Sequence, residues 1–134
     1  MVAELGGDPL PQLTEQLATH VVDSAFAVHS ELGPGLLESV YETCFCHELS
    51  LRNIEFEQQV VLPIAYKDLL IDSGLRLDVI VEHQIVIELK AVERVSPVHR
   101  AQVLSYMKLS GFRLGFLINF NVPVIKNGIE RFIL

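Results

Sequence analysis

Apolar residues fall at positions 13, 17, 21, 25, 28 and 32, the three-and-four spacing that turns one side of an α-helix toward a core. "ELGPG" ends that run, with Gly33 as the stop and Pro34 just beyond it. A second helix is expected over residues 36–51, burying Leu37, Val40, Tyr41, Cys44, Phe45 and Leu49. Strand-like segments follow at 55–65, 69–72, 75–81 and 84–92. Ser96 and Pro97 read as the cap and first residue of a third helix, running to Leu109 with Val98, Ala101, Val103, Leu104 and Leu109 inward. "LGFLINF" (114–120) reads as a buried strand. Asn127-Gly128 predicts a hairpin turn between strands over 122–126 and 129–134, with Pro123 keeping its strand near an edge. The resulting order, α-α-β-β-β-α-β-β, predicts an α/β domain with a mixed central sheet flanked by helices. Residues 13–134 read as a single domain, and residues 1–12 as a flexible N-terminal arm.

One strand departs from this pattern. "QIVIELKAV" (84–92) is apolar except for Glu88 and Lys90, which alternation puts on one face, and Asp78 interrupts the apolar run before it. Burying an ion is costly unless it is paired or bound to a metal, so the trio is either a structural ion network or a site. Hairpin parity separates two cases. A two-residue turn at Glu82-His83 pairs Val81 with Gln84 and turns Asp78 away from Glu88. A three-residue loop, 82–84, pairs Val81 with Ile85 and sets Asp78 across from Glu88. The site reading requires the second arrangement or an equivalent bulge.

Composition limits the classes available. The chain has 134 residues, 50% of them hydrophobic and 20% charged, which is globular rather than disordered. No apolar run approaches the roughly 18 residues of a membrane span. The beginning, "MVAELGGDPLPQL", has neither the basic nor the apolar region of a signal peptide. Cys44 and Cys46, two apart on an expected helix, are neither a disulfide pair nor a zinc set, and fit a reducing cytoplasm. Net charge is −7, which argues against a broadly basic nucleic-acid-binding surface. A local basic patch, or a metal bound first by acidic groups, remains compatible with that charge.

Two carboxylates about 5 Å apart repel, and a divalent cation relieves the repulsion while taking their oxygens as ligands. Lys90 on the same face would orient or activate a water, or stabilise negative charge developing on a phosphoryl group. Together these are the parts for metal-assisted phosphodiester hydrolysis. "PVHRAQVLSYMKL" further places His99, Gln102 and Tyr106 along one face of the third helix. Glu38, in the first turn of the second helix, has helix-dipole stabilisation as its plainer role, and Tyr41 has core packing.

"GLLESVY" (35–41) resembles the signature of the GxxExxY protein family. The similarity continues through "LRLDVIVEHQIVIELKAVE", "PVHRAQVLSYMKLSG" and "LGFLINFNV", covering nearly all of 13–134 in order. That family is placed in the PD-(D/E)XK nuclease-like superfamily, with a restriction-endonuclease-like core. The resemblance implies that Asp78 is the motif's aspartate and Glu88-Leu89-Lys90 its (D/E)XK, with Leu77 where the motif name has proline. It also implies that Glu38 is an additional metal ligand beside Asp78 and Glu88, and that Gln102 and Tyr106 form a supporting Q-x-x-x-Y helix. The catalytic set so implied is Asp78, Glu88, Lys90, Gln102 and Tyr106, the cofactor Mg2+ or Mn2+, and the partner a nucleic acid, DNA ahead of RNA. Arg76, Lys90, Arg94 and Arg100 are the basic residues available for a phosphate-contacting rim; His20, His29, His47 and His83 have no ligand spacing. The alternative is a non-catalytic nuclease-fold module for binding or assembly, with a homodimer as one form of it and no membrane partner in either case.

Overall fold

The computed structural model describes Val2–Glu4 and residues 8–134. Its elements in chain order are β1 (Val2–Glu4), α1 (Gln12–Leu32), α2 (Glu38–Leu51), β2 (Phe56–Tyr66), β3 (Leu69–Val81), β4 (Ile85–Lys90), α3 (Pro97–Ser110), β5 (Leu114–Asn119) and β6 (Ile129–Ile133). The sheet runs β1-β6-β5-β4-β3-β2. β4 and β5 are parallel, as are β1 and β6, and the other neighbours are antiparallel. The parallel step from β4 to β5 requires a crossover, which α3 supplies.

Alternation along β4 divides the core in two. Ile85, Ile87 and Leu89 pack with α1 and α2 around Val21, Ala25, Tyr41, Phe45 and Leu49. Val86 points the other way and joins Ile80, Leu117 and Phe132 beneath Val103 and Met107 of α3. Burial on both faces explains why β4 and β5 are almost continuously apolar. Glu88 and Lys90 share the parity of Val86, so they emerge on the α3 side. Gly115 permits the close approach of α3, since a Cβ there would lie 2.6 Å from Met107 Sδ. Ser96 caps α3 by accepting from the His99 N–H, while the His99 ring accepts from the Ser96 N–H.

Several expectations need correction. Residues 69–72 and 75–81 are not two strands but one, β3, passing through Ser73 and Gly74. The segment 122–126 is not a strand; bends containing Pro123 lead into a 3-10 turn, Ile125–Gly128, and β6 pairs directly with β5. Proline lacks the N–H that a sheet position would use. Within the expected arm, Val2–Glu4 forms the edge strand β1, while Met1 and 5–7 lie outside the described residues. Leu37 and Val40 are exposed, because α2 begins at Glu38 and turns Tyr41 and Phe45 inward instead. Val98, Ala101 and Leu109 are exposed too, because α3 meets the sheet through Val103 and Met107. Both cysteines are free, and burial pushes the Cys46 thiol up to about 12. Among the described residues no helix is long and apolar enough to cross a membrane.

Candidate active site

The β3–β4 register pairs Val81 with Ile85, Ile80 with Val86 and Val79 with Ile87. The loop is therefore three residues, 82–84, with Glu82 and His83 both left-handed at φ 50° and 55° and the Gln84 N–H bonded to Val81 O at 2.9 Å. The same register carries Asp78 opposite Glu88. The regular ladder stops at that pair, and side chains replace it. The Leu89 N–H donates to Asp78 Oδ2 at 2.9 Å, and the Asp78 N–H donates to Glu88 Oε1 at 3.2 Å. Each carboxylate thus accepts from the backbone of the opposite strand.

This arrangement concentrates negative charge where little water reaches it. Glu88 is only 6% exposed. Burial, then repulsion from Asp78, pushes its carboxyl up to about 8. Asp78 is raised by burial as well, against the opposing effect of the Leu89 N–H. Lys90, at the end of β4 beside Asn119, favours the charged forms of Asp78, Glu88 and Glu38, and Arg76 adds a smaller effect at Glu38. Among the described residues Lys90 forms no ion pair of its own.

Glu38 enters from the first turn of α2, through a loop held by Tyr41. The Tyr41 hydroxyl donates to Gly33 O at 2.6 Å and accepts from the Leu36 N–H at 3.1 Å. Its ring stacks on Phe120, with centroids 4.7 Å apart. Gly33 and Gly35 adopt φ 66° and 102°, which a β-carbon would strain. The Glu38 side chain reaches solvent, yet partial loss of hydration, followed by the charge of Asp78, raises its pKa. From the other side comes Tyr106 on α3, half-buried, its hydroxyl raised by burial and then by Glu88 and Asp78.

Five of the six expected site residues therefore converge electrostatically: Glu38, Asp78, Glu88, Lys90 and Tyr106. Gln102 does not join them. It is exposed one turn before Tyr106, and no hydrogen bond ties it to the carboxylates among the described residues. His99 is occupied as the cap partner of Ser96. The basic rim is smaller than the sequence suggested. Arg100 makes a bidentate pair with Glu130 at 2.7–2.9 Å, and Arg76 donates to Gln59.

Two neighbours of the site were not anticipated. Glu42, one helical turn after Glu38, adds to the negative charge around Asp78 and accepts from both Gln58 and Gln59. The spacing of Glu38 and Glu42 on one helix was the available signal. Asn119 is 2% exposed; it accepts from the Val92 N–H and donates to Val92 O, fixing the chain just beyond Lys90.

Among the described residues no three acidic, histidine or cysteine side chains already form a ligand cage. A cage is not what Mg2+ requires, because it retains waters and uses one or two carboxylates plus substrate phosphate. Asp78 and Glu88 supply hard oxygen donors and a repulsion that a cation would relieve. The residues present fit such an ion.

A family model described as the PD-(D/E)XK nuclease superfamily matches residues 15–132. The chain belongs to the PD-(D/E)XK nuclease superfamily. The mixed sheet with helices on both faces is consistent with that superfamily's core, and membership supports a nuclease-type function. No curated protein and no solved structure matches the chain.

Proposed function

We propose that the protein is a metal-dependent nuclease that hydrolyses phosphodiester bonds, with DNA as its substrate. The observation that carries this reading is the crossed Asp78–Glu88 pair, desolvated and set beside Lys90 in a member of a nuclease superfamily. Asp78 and Glu88 correspond to the acidic positions of the PD-(D/E)XK motif, Lys90 to its lysine, and 35–41 to the GxxExxY signature.

Asp78 and Glu88 would hold Mg2+ or Mn2+, with Glu38 completing the acidic side. The bound ion would supply Lewis-acid polarisation of the phosphoryl group and a lowered pKa for water. Lys90 orients the attacking water and offsets charge that develops on the phosphate. The Tyr106 hydroxyl, raised by burial and then by the same carboxylates, remains a hydrogen-bond donor toward substrate or water. Gln102 is assigned to substrate contact rather than to the carboxylate cluster, because it is exposed. The two free thiols fit a cytoplasmic setting.

A second reading, an assembly module, has one observation in its favour. The tip of the β2–β3 hairpin exposes Tyr66, Leu69, Leu70 and Ile71. The test is cleavage of single- and double-stranded DNA and of RNA with Mg2+ or Mn2+, beside Asp78→Asn and a chelator control. Metal-dependent cleavage lost in Asp78→Asn supports the nuclease. Equal cleavage by both proteins means contamination, and no cleavage with a stable oligomer in sedimentation favours the assembly module.

A further inference from the structure

Gln58 and Gln59 are consecutive residues of β2, and in a regular strand consecutive side chains point to opposite faces. Here both reach the same carboxylate. Gln58 Nε2 donates to Glu42 Oε2 at 3.0 Å, while Gln59 Nε2 lies 2.8 and 3.0 Å from the two Glu42 oxygens. The backbone explains how. Gln59 has φ 51°, the left-handed region that non-glycine residues rarely occupy. At this point the β2–β3 ladder skips: Gln58 pairs with Val79 and Val60 with Leu77, leaving Gln59 and Asp78 outside the regular pairing. Strain of this kind persists only where the surroundings enforce it, and it concentrates at functional sites.

The partners of the displaced side chain come from both sides of the candidate site. Gln59 Oε1 accepts from Arg76 Nε, two residues before Asp78. Its amide also favours the charged form of Asp78. Glu42 stands one turn along α2 from Glu38. Gln59 therefore bridges the helix that carries Glu38 and the strand that carries Asp78.

We propose that Gln59 is a positioning residue whose left-handed kink sets its amide between Glu42 and Arg76, bracing α2 against β3 so that Glu38 and Asp78 address one bound cation. This rests on the nuclease reading for its purpose, but the brace itself has an independent readout. Gln59 is the point of failure because neither neighbour replaces it: among the described residues Gln58 reaches Glu42 alone, and Arg76 reaches Gln59 alone.

The informative variant is Gln59→Gly, which accepts the positive φ without strain and removes the whole side chain, amide included. Its thermal midpoint should be unchanged or higher. Mn2+ affinity by calorimetry and the DNA cleavage rate should each fall about tenfold or more, the usual effect of losing a residue that orients metal ligands. Gln59→Gly with full affinity and full cleavage overturns the proposal. The readout that needs no activity is the Gln59 side-chain amide signal in the NMR spectrum of the wild-type chain. It should move in Glu42→Gln and again in Arg76→Gln; an amide indifferent to both overturns the brace. Wild-type protein that neither binds Mn2+ nor cleaves overturns the nuclease reading, and the amide signals then still decide the brace.

Discussion

Asp78 and Glu88 each accept a hydrogen bond from the other's strand, Asp78 Oδ2 from the Leu89 N–H and Glu88 Oε1 from the Asp78 N–H. Two acidic groups are thereby fixed face to face at the point where the β3–β4 ladder ends. The exchange satisfies backbone donors that would otherwise lose their partners. It does not remove the repulsion between the carboxylates, and that residual conflict is the basis of the site's chemistry.

The conflict makes stability depend on pH. The Glu88 carboxyl, pushed up to about 8, holds a proton in the folded state that it releases near 4.5 when unfolded. The folded state therefore binds more protons between those values. Its contribution is fully present below about 4.5 and is lost as pH rises toward 8. Asp78 is raised too and adds the same sign. Urea unfolding of metal-free protein from pH 5 to 9 should show stability falling by a few kcal/mol, a fall that Glu88→Gln largely removes.

Asp78→Asn should separate stability from activity. The amide oxygen still accepts from the Leu89 N–H, while the charge that opposes Glu88 is gone. Without metal the variant should melt a few degrees higher, equivalent to about 1 kcal/mol. Added Mn2+ should raise the midpoint of the wild type but not of Asp78→Asn, as scanning calorimetry would record.

Tyr41→Phe tests the loop that delivers Glu38. The ring remains stacked on Phe120, but the bonds to Gly33 O and the Leu36 N–H are lost. Stability should fall by about 1–2 kcal/mol. Amide exchange should quicken at Leu36 more than at the centre of α2.

Asn119→Ala leaves the Val92 N–H and C=O without their side-chain partners in a nearly closed environment. Denaturant titration should show a loss of about 2–3 kcal/mol. Chemical-shift changes should extend through 91–95 to Lys90.

Much of this arrangement could be read from the chain. The alternation around Glu88 and the choice between a two- and a three-residue loop located the acidic pair, and the observed Val81–Ile85 pairing is the arrangement the site required. Tyr41 packs in the core as its plainer reading held, and additionally ties the Gly33–Leu36 loop. What escaped depended on tertiary geometry. Gln59 looked like an ordinary strand residue, since nothing local announces a positive φ at glutamine. Val98 and Leu109 fit a helical stripe, but Gly115 lets α3 sit so close that Val103 and Met107 are buried at the contact, with Leu104 and Tyr106 at its margin. Asn119, within an apolar run, gave no sign that its amide would hold the backbone after Lys90.

The most direct test of the central claim is the single-turnover rate of DNA cleavage in Mn2+ for the wild type and Lys90→Ala, purified side by side. A lysine that works beside the Asp78–Glu88 pair on the attacking water predicts a rate at least about 100-fold lower in the variant. Equal rates in the two proteins would contradict the account.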